Sequence, residues 1–181
     1  MTTQMIHGNM LVIKDCGVLI RGRENMGKSE LALALIDRGH KLVCDDCVEL
    51  IVEKNKLIGQ CPKINNQFIH INGIGVIYVT ELFGENSFIE KHPLQLAITL
   101  VKPEEMPLPD NLLTPCYEKL VLCDIEIPNI IFPAVGDRSL PLLIETLVRS
   151  HLLKLAGRSP SDLFHERLSE MMRAKNDKED N

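Results

Sequence analysis

The sequence predicts an α/β fold organised around a phosphate-binding loop, and three consecutive observations predict it. Gly17-Val18-Leu19-Ile20-Arg21 is a short apolar run of the β-branched kind that suits a buried strand. Gly22-Arg23-Glu24-Asn25-Met26-Gly27-Lys28-Ser29 follows and fits G-x-x-x-x-G-K-[ST], the phosphate-cradling P-loop. Leu31 to Ile36 is then rich in Leu and Ala, and Gly39 stands where a helix-closing glycine belongs. In a strand–loop–helix unit, backbone N–H groups and the positive end of the helix dipole converge on phosphate oxygens. A nucleoside triphosphate is therefore the expected ligand, held by Gly22, Arg23, Glu24, Asn25, Met26, Gly27, Lys28 and Ser29. Lys28 supplies a mobile positive charge, and the Ser29 hydroxyl suits Mg²⁺.

The next element is a strand that ends in acids. His40-Lys41-Leu42-Val43-Cys44 runs into Asp45-Asp46, an arrangement in which a strand end aims a carboxylate at the metal or the attacking group. Adjacent residues of an extended chain face opposite sides, so one aspartate is expected to point into the site directly. An Asp-Asp pair in isolation suits a solvated turn, but one helix after a P-loop it reads as functional. Cys47 to Val52 and Leu94 to Val101 are also strand-like, the latter apolar at nearly every position as a central strand would be. Pro103 to Pro115 holds four prolines and reads as a loop.

The C-terminal part predicts a pair of helices. Ser139 is the expected N-cap of a helix from Leu140 to Ala156, with Leu140, Leu143, Ile144, Leu147 and Val148 on one face and Gly157 at its close. A second helix is expected after Ser159 or Ser161, running to about Arg173. Residues 174–181 are charged and are expected to be disordered, which makes 1–173 the domain.

Composition narrows the function classes. A length of 181 residues suits one domain with a sizeable core. The net charge is −5, and no basic cluster interleaves with aromatics, so nucleic acid is not an expected partner. No apolar run approaches a membrane span, and Met1 to Met5 lacks the features of a signal peptide, so no membrane and a cytoplasmic location are expected. Among six cysteines, Cys44 and Cys47 form a C-x-x-C. A structural zinc needs four ligands, and no second close pair exists, Cys116 and Cys123 being too widely spaced. Reduced, structural cysteines are expected.

The ordered set of motifs resembles one family, HPr kinase/phosphorylase, the bacterial enzyme that phosphorylates a serine of the phosphocarrier protein HPr. The resemblance is carried by His7-Gly8, Gly17-Val18-Leu19-Ile20, Gly27-Lys28-Ser29-Glu30, Arg38-Gly39-His40 and Asp45-Asp46, in order and at matching spacing. Ile71-Asn72-Gly73-Ile74-Gly75-Val76-Ile77, Leu82-Phe83-Gly84, Ile127-Pro128-Asn129-Ile130 and Pro133 through Arg138 extend it over nearly the whole chain. It implies a P-loop kinase domain of the phosphoenolpyruvate-carboxykinase-like type, a mixed β-sheet with flanking helices. It also implies ATP and Mg²⁺ as cofactors, transfer of the γ-phosphoryl group to a serine of HPr in the regulation of carbohydrate metabolism, and reversal by phosphate with release of pyrophosphate. HPr and five further copies of the chain, in a homo-hexamer, are the implied partners.

Roles follow from the same resemblance. Lys28 would hold the ATP phosphates, Ser29 and Asp46 the metal, and Asp45 would accept the proton of the target serine. His7 matches an active-site histidine near that aspartate. Lys119, in Tyr117-Glu118-Lys119-Leu120, stands at a family arginine, and Arg138 retains another. The chain departs from the pattern at His70, where the family has a glutamate that helps bind magnesium, and at Asn72, where it has an arginine. Imidazole suits a hard cation poorly, and Lys119 lacks the planar fork of arginine. Met1 lies just before the catalytic block, so the family's N-terminal regulatory domain is expected to be absent. A nucleotide-dependent sensor or interaction module, or a P-loop kinase for another acceptor, remain as alternatives.

Overall fold

A computed structural model describes residues 3–108, 111–136 and 139–179, with side chains described through Arg173. In chain order the first half comprises β1 (Thr3–His7), β2 (Asn9–Ile13), β3 (Cys16–Arg21), α1 (Lys28–Asp37), β4 (Lys41–Cys44), β5 (Cys47–Glu53) and β6 (Lys56–Gln60). The second half comprises β7 (Phe68–Ile71), β8 (Gly75–Tyr78), α2 (Val79–Phe83), β9 (Lys91–Pro93), β10 (Leu96–Val101), β11 (Cys116–Leu122), β12 (Ile125–Pro133), α3 (Leu140–Leu155) and α4 (Pro160–Glu179).

Apolar side chains on both faces of the central strands make a three-layer arrangement. The middle layer is a six-stranded sheet in the order β11-β12-β10-β3-β2-β4. β3, β10 and β12 run parallel, while β2 lies antiparallel between β3 and β4, and β11 is antiparallel at the opposite edge. Val18 and Ile20 of β3, with Leu96, Ile98 and Leu100 of β10, pack against Leu31 and Leu35 of α1 and Ile144 and Val148 of α3. The alternate residues Met10, Val12, Leu19 and Ala97 pack the other way, against Val48, Leu50 and Leu57 of the antiparallel sheet β1-β5-β6-β9. Burial on both faces accounts for the unbroken apolar run of β10, which is central as the sequence predicted. The mixed sheet with flanking helices is the architecture expected from the resemblance.

Three two-residue hairpins set the registers. Lys14-Asp15, Lys54-Asn55 and Cys123-Asp124 all have positive φ, the geometry that matches strand twist in a tight hairpin. The first joins β2 to β3 and pairs Ile13 with Cys16 and Asn9 with Ile20.

The helix pair is present, with two departures from expectation. Ser139 occupies the N-cap position of α3 but makes no side-chain capping bond. Pro141 stands in the first turn and has no N–H for the serine to accept. α4 runs through Glu179, so the backbone of 174–179 is helical where the sequence suggested disorder. Ser159 is the residue that caps α4, its Oγ accepting the Asp162 N–H at 3.3 Å. Only α3 of the pair contributes to the core among the described residues; Leu163, Phe164, Leu168 and Met171 of α4 are exposed.

A polar knot fastens α1 to α3. Glu145 of α3 is buried and accepts from Arg38 Nη2 at 2.5 Å and Nε at 3.0 Å, while His40 Nε2 lies 2.5 Å from its other oxygen. The Arg38 hydrogen bond, opposed by burial and aided by His40, holds the Glu145 carboxyl below the ordinary glutamate range. Arg38 and His40 flank the turn between α1 and β4, so the knot fixes where β4 begins. Glu145→Ala is expected to cost about 2–3 kcal/mol, because it leaves His40 buried without its partner. A lowered folded-state value means that the stabilisation is present above the ordinary glutamate range and is lost as pH falls from that range through the lower folded-state value. Urea unfolding of the wild type and Glu145→Gln should therefore converge as the pH is lowered.

Candidate active site

β3 delivers the chain to the phosphate loop at the edge of the core. Gly27 has φ 73°, in the left-handed region, and stands at the N-cap of α1 with its carbonyl accepting the Leu31 N–H at 2.9 Å. No side chain caps this helix end, so its first-turn N–H groups are available to an anion. A Cβ at Gly22 would sit 3.1 Å from the Leu100 carbonyl oxygen, which is the close approach that brings the loop onto β10. Lys28 is buried, its Nζ donating to the carbonyls of Gly22 at 3.1 Å and Arg23 at 2.8 Å.

β4 ends beside that loop because β2 separates it from β3 by one strand. Asp45 is 6% exposed. Its Oδ1 accepts from Ser29 Oγ at 3.0 Å and from Asn9 Nδ2, and its Oδ2 accepts from the His70 backbone N–H at 3.3 Å. Burial pushes the Asp45 carboxyl above its ordinary value, while the Ser29 hydroxyl and the His70 amide pull it back. Asp46 adopts φ 67° and turns the chain, so that the two aspartates reach different partners. Its Oδ1 lies 3.2 Å from His7 Nδ1, and its carbonyl accepts the Gly8 N–H at 2.8 Å. The carboxylate in contact with Ser29 is thus that of Asp45; Asp46, the expected metal ligand, sits one step further out.

Two cavities meet at this acid pair. The first, about 450 Å³, is lined by His7, Glu24, Asn25, Gly27, Lys28, Ser29, Glu30, Asp46, His70 and Asn72. The second, about 370 Å³, is lined by Asp45, Asp46 and His70 together with Ile64, Phe68 and Val76. Asp45 borders the apolar-rimmed cavity, while its Ser29 partner borders the polar one that Lys28 lines.

Most of the residues named from sequence are brought together, and some are not. Arg23 points out of the loop to Glu105, with Nη1 to Oε1 at 2.7 Å. Met26 lines a smaller depression with Lys102, Val135 and Leu140. Lys119 lies on the edge strand β11, opposite Pro128, and pairs with Glu126 at 3.0 Å. The chain does not carry it to the phosphate loop, because Pro128 lies in mid-strand rather than at the Pro133 end of β12. Arg138 falls outside the described residues. The C-x-x-C also separates: Cys44 Sγ contacts Cys61 Sγ at 2.6 Å and donates to the Cys47 carbonyl at 3.0 Å, and all six cysteines are free.

Asn9 is a site residue that the sequence reading missed. It is 1% exposed and opens β2, whose apolar run Met10-Leu11-Val12-Ile13 after His7-Gly8 is the signal that would have revealed it.

The fold and the site together define a P-loop kinase-type domain. The family model described as HPr Serine kinase C-terminal domain matches residues 1–168, and the chain belongs to that family. It is 35% identical over 176 residues to the HPr kinase/phosphorylase of Stenotrophomonas maltophilia (strain K279a), covering 93% of this chain and 54% of that protein. The HPr kinase/phosphorylase of Xylella fastidiosa (strain M12) matches at 35% over 175 residues, covering 92% of this chain and 54% of that protein. The structure of the Hpr(Ser) kinase/phosphatase from Coxiella burnetii superposes with a TM-score of 0.84 at 54% identity, over 90% of this chain and 99% of that one. The chain spans about half the length of the curated relatives it matches.

Lys28→Ala should weaken ATP binding at least about tenfold, the loss expected for a desolvated phosphate contact. Titration calorimetry would measure it, and an unchanged melting temperature would assign the loss to the contact rather than to unfolding.

Proposed function

We propose that this domain transfers the γ-phosphoryl group of ATP to a serine of HPr, with Mg²⁺, and that phosphate reverses the reaction. The observation that carries this reading is Asp45, buried at the strand end and hydrogen-bonded to the P-loop serine. Lys28 and the open N–H groups of α1 bind and orient the triphosphate. The acceptor serine oxygen attacks the γ-phosphorus while the bond to the bridging oxygen breaks and ADP leaves. The serine proton passes to Asp45, whose burial makes its carboxylate a stronger base than one in water. In the phosphate-driven direction, an oxygen of hydrogen phosphate attacks the phosphoserine phosphorus while its bond to the serine oxygen breaks; the proton lost by the attacking phosphate passes through Asp45 to the departing serine oxygen, and pyrophosphate is released.

The donor chemistry fits a hard cation. Ser29, Asp45 and Asp46 offer oxygens at the junction of the cavities, whereas the His70 imidazole adds nothing for magnesium. Ser29 with Asp46 would hold the ion, which when bound neutralises charge on the phosphate oxygens. His7, paired with Asp46, orients that carboxylate. For Arg138 a phosphate-contacting role is proposed by resemblance alone. Lys119 would reach a site only from another subunit.

The exposed apolar residues of α4 support contacts with HPr and with other copies of the chain in a hexamer. Among the described residues no helix is long and apolar enough to cross a membrane, and the proposed setting is the cytoplasm, where ATP and HPr meet. A nucleotide-dependent interaction module is the second reading, favoured by the replacement of a metal-binding glutamate with His70.

Purified protein incubated with γ-labelled ATP, Mg²⁺ and HPr of the same organism tests the proposal. Label should enter HPr and be lost when its target serine is replaced by alanine. Asp45→Ala should slow transfer by about 100-fold or more. ATP binding without label in HPr would support the interaction module instead.

A further inference from the structure

Asp45 Oδ1 receives two hydrogen bonds, from Ser29 Oγ and Asn9 Nδ2, whereas Oδ2 receives one, from the His70 amide. A carboxylate oxygen offers two lone pairs. Oδ1 is therefore saturated, and Oδ2 retains one open position. Asn9 sits deep in the sheet at 1% exposure, and its own Oδ1 is buried with no hydrogen-bond partner. The amide cannot simply turn over to relieve this, because Oδ1 would then face a carboxylate, acceptor against acceptor. A buried, half-satisfied amide in a strand flanked by Met10 and Leu11 costs stability, so its retention calls for an explanation outside the packing of the core.

We infer that Asn9 is a positioning residue for phosphoryl transfer: with Ser29 it pins Asp45 Oδ1 and leaves Oδ2 as the oxygen that takes the acceptor's proton. The inference rests on the proposed function, in which Asp45 is the base. The architecture supplies the means. β2 runs antiparallel between β3 and β4, so its first residue lies level with the ends of both: Asn9 pairs with Ile20, and Met10 with Cys44. The Gly8 N–H bonds the Asp46 carbonyl at 2.8 Å and His7 pairs with the Asp46 side chain. His7, Gly8 and Asn9 therefore grip the Asp45-Asp46 turn at three points. Ser29 and the His70 N–H hold one oxygen of Asp45 each; Asn9 adds a third donor, from the sheet, that joins Ser29 on Oδ1 and fixes the plane of the carboxylate.

The test compares Asn9→Leu, which keeps the branched shape and removes the donor, with Asn9→Asp, which puts an acceptor where the donor was. Both should transfer to HPr more slowly, Asn9→Leu by about 10- to 100-fold in kcat, with KM for ATP within about twofold of wild type because no phosphate contact is lost. Asn9→Leu removes the orphaned oxygen but also a donor to the buried Asp45 carboxylate; the two effects oppose one another, so its melting temperature should stay within a few degrees of wild type. A kcat within about twofold of wild type would overturn the inference, as would a joint fall in kcat, ATP affinity and melting temperature, the signature of a merely structural asparagine. A second measurement needs no acceptor. The side-chain amide resonances of Asn9 in a ¹⁵N spectrum should move on Asp45→Asn, and amide signals blind to that substitution would refute the contact. If wild type labels no HPr at all, the function fails and the positioning role falls with it, while the amide spectrum still decides whether Asn9 holds Asp45.

Discussion

A carboxylate taken out of water has to be given donors, and Asp45 determines much of the architecture around it for that reason. Its partners come from three separate places: the first residue of β2, the first turn of α1, and the backbone of β7. Each element must end at the same spot, which restricts the strand order. With β3 and β4 as neighbours, the strand between them could not supply Asn9. With β2 inserted antiparallel, the loop and the acid are about two strand spacings apart, roughly 10 Å. α1 bridges that gap, because its N-terminus carries both Lys28, turned toward the loop carbonyls, and Ser29, turned toward Asp45.

The layers behind the site hold these ends in place. The six-stranded sheet is clamped between helices and a second sheet, so a side chain on either face is locked by packing. The knot of Glu145 with Arg38 and His40 is the polar counterpart of that clamp, fastening the helix that carries Lys28 to the helix across the same face. Precision at Ser29 and Asp45 therefore comes from the core rather than from the loops that carry the chemistry.

Legibility in the sequence followed the range of the interactions. The strand, loop and helix around Lys28 were legible because their signals are local and contiguous, and Asp45-Asp46 because a strand end after a P-loop has a known use. The conformation of Asp46 was not, since a left-handed aspartate leaves no mark on the residues beside it, and that turn decides which acid meets Ser29. Asn9 stayed hidden because its significance lies in a partner thirty-six positions away across an antiparallel pairing. Lys119 illustrates the reverse. Its segment matches a family pattern in letters, yet its strand pairs it with Glu126, away from the phosphates. The cysteines are free, as the sequence reading expected; what the C-x-x-C spacing could not reveal is that Cys44 meets Cys61, a partner seventeen positions away.

The two-residue turn at Lys14-Asp15 lies at the opposite end of β2 from Asn9, yet it is the ruler by which Asn9 is placed. Side chains alternate faces along a strand, so a slip of one residue would exchange Asn9 with Met10. A methionine would then stand beside the carboxylate, and an amide would be pressed between the two sheets. One inserted or deleted residue at an exposed hairpin, far from any ligand, would be read out as a misaligned acid. Of the loops in this domain, the one furthest along the strand from the phosphates is thus among the least free to drift in length.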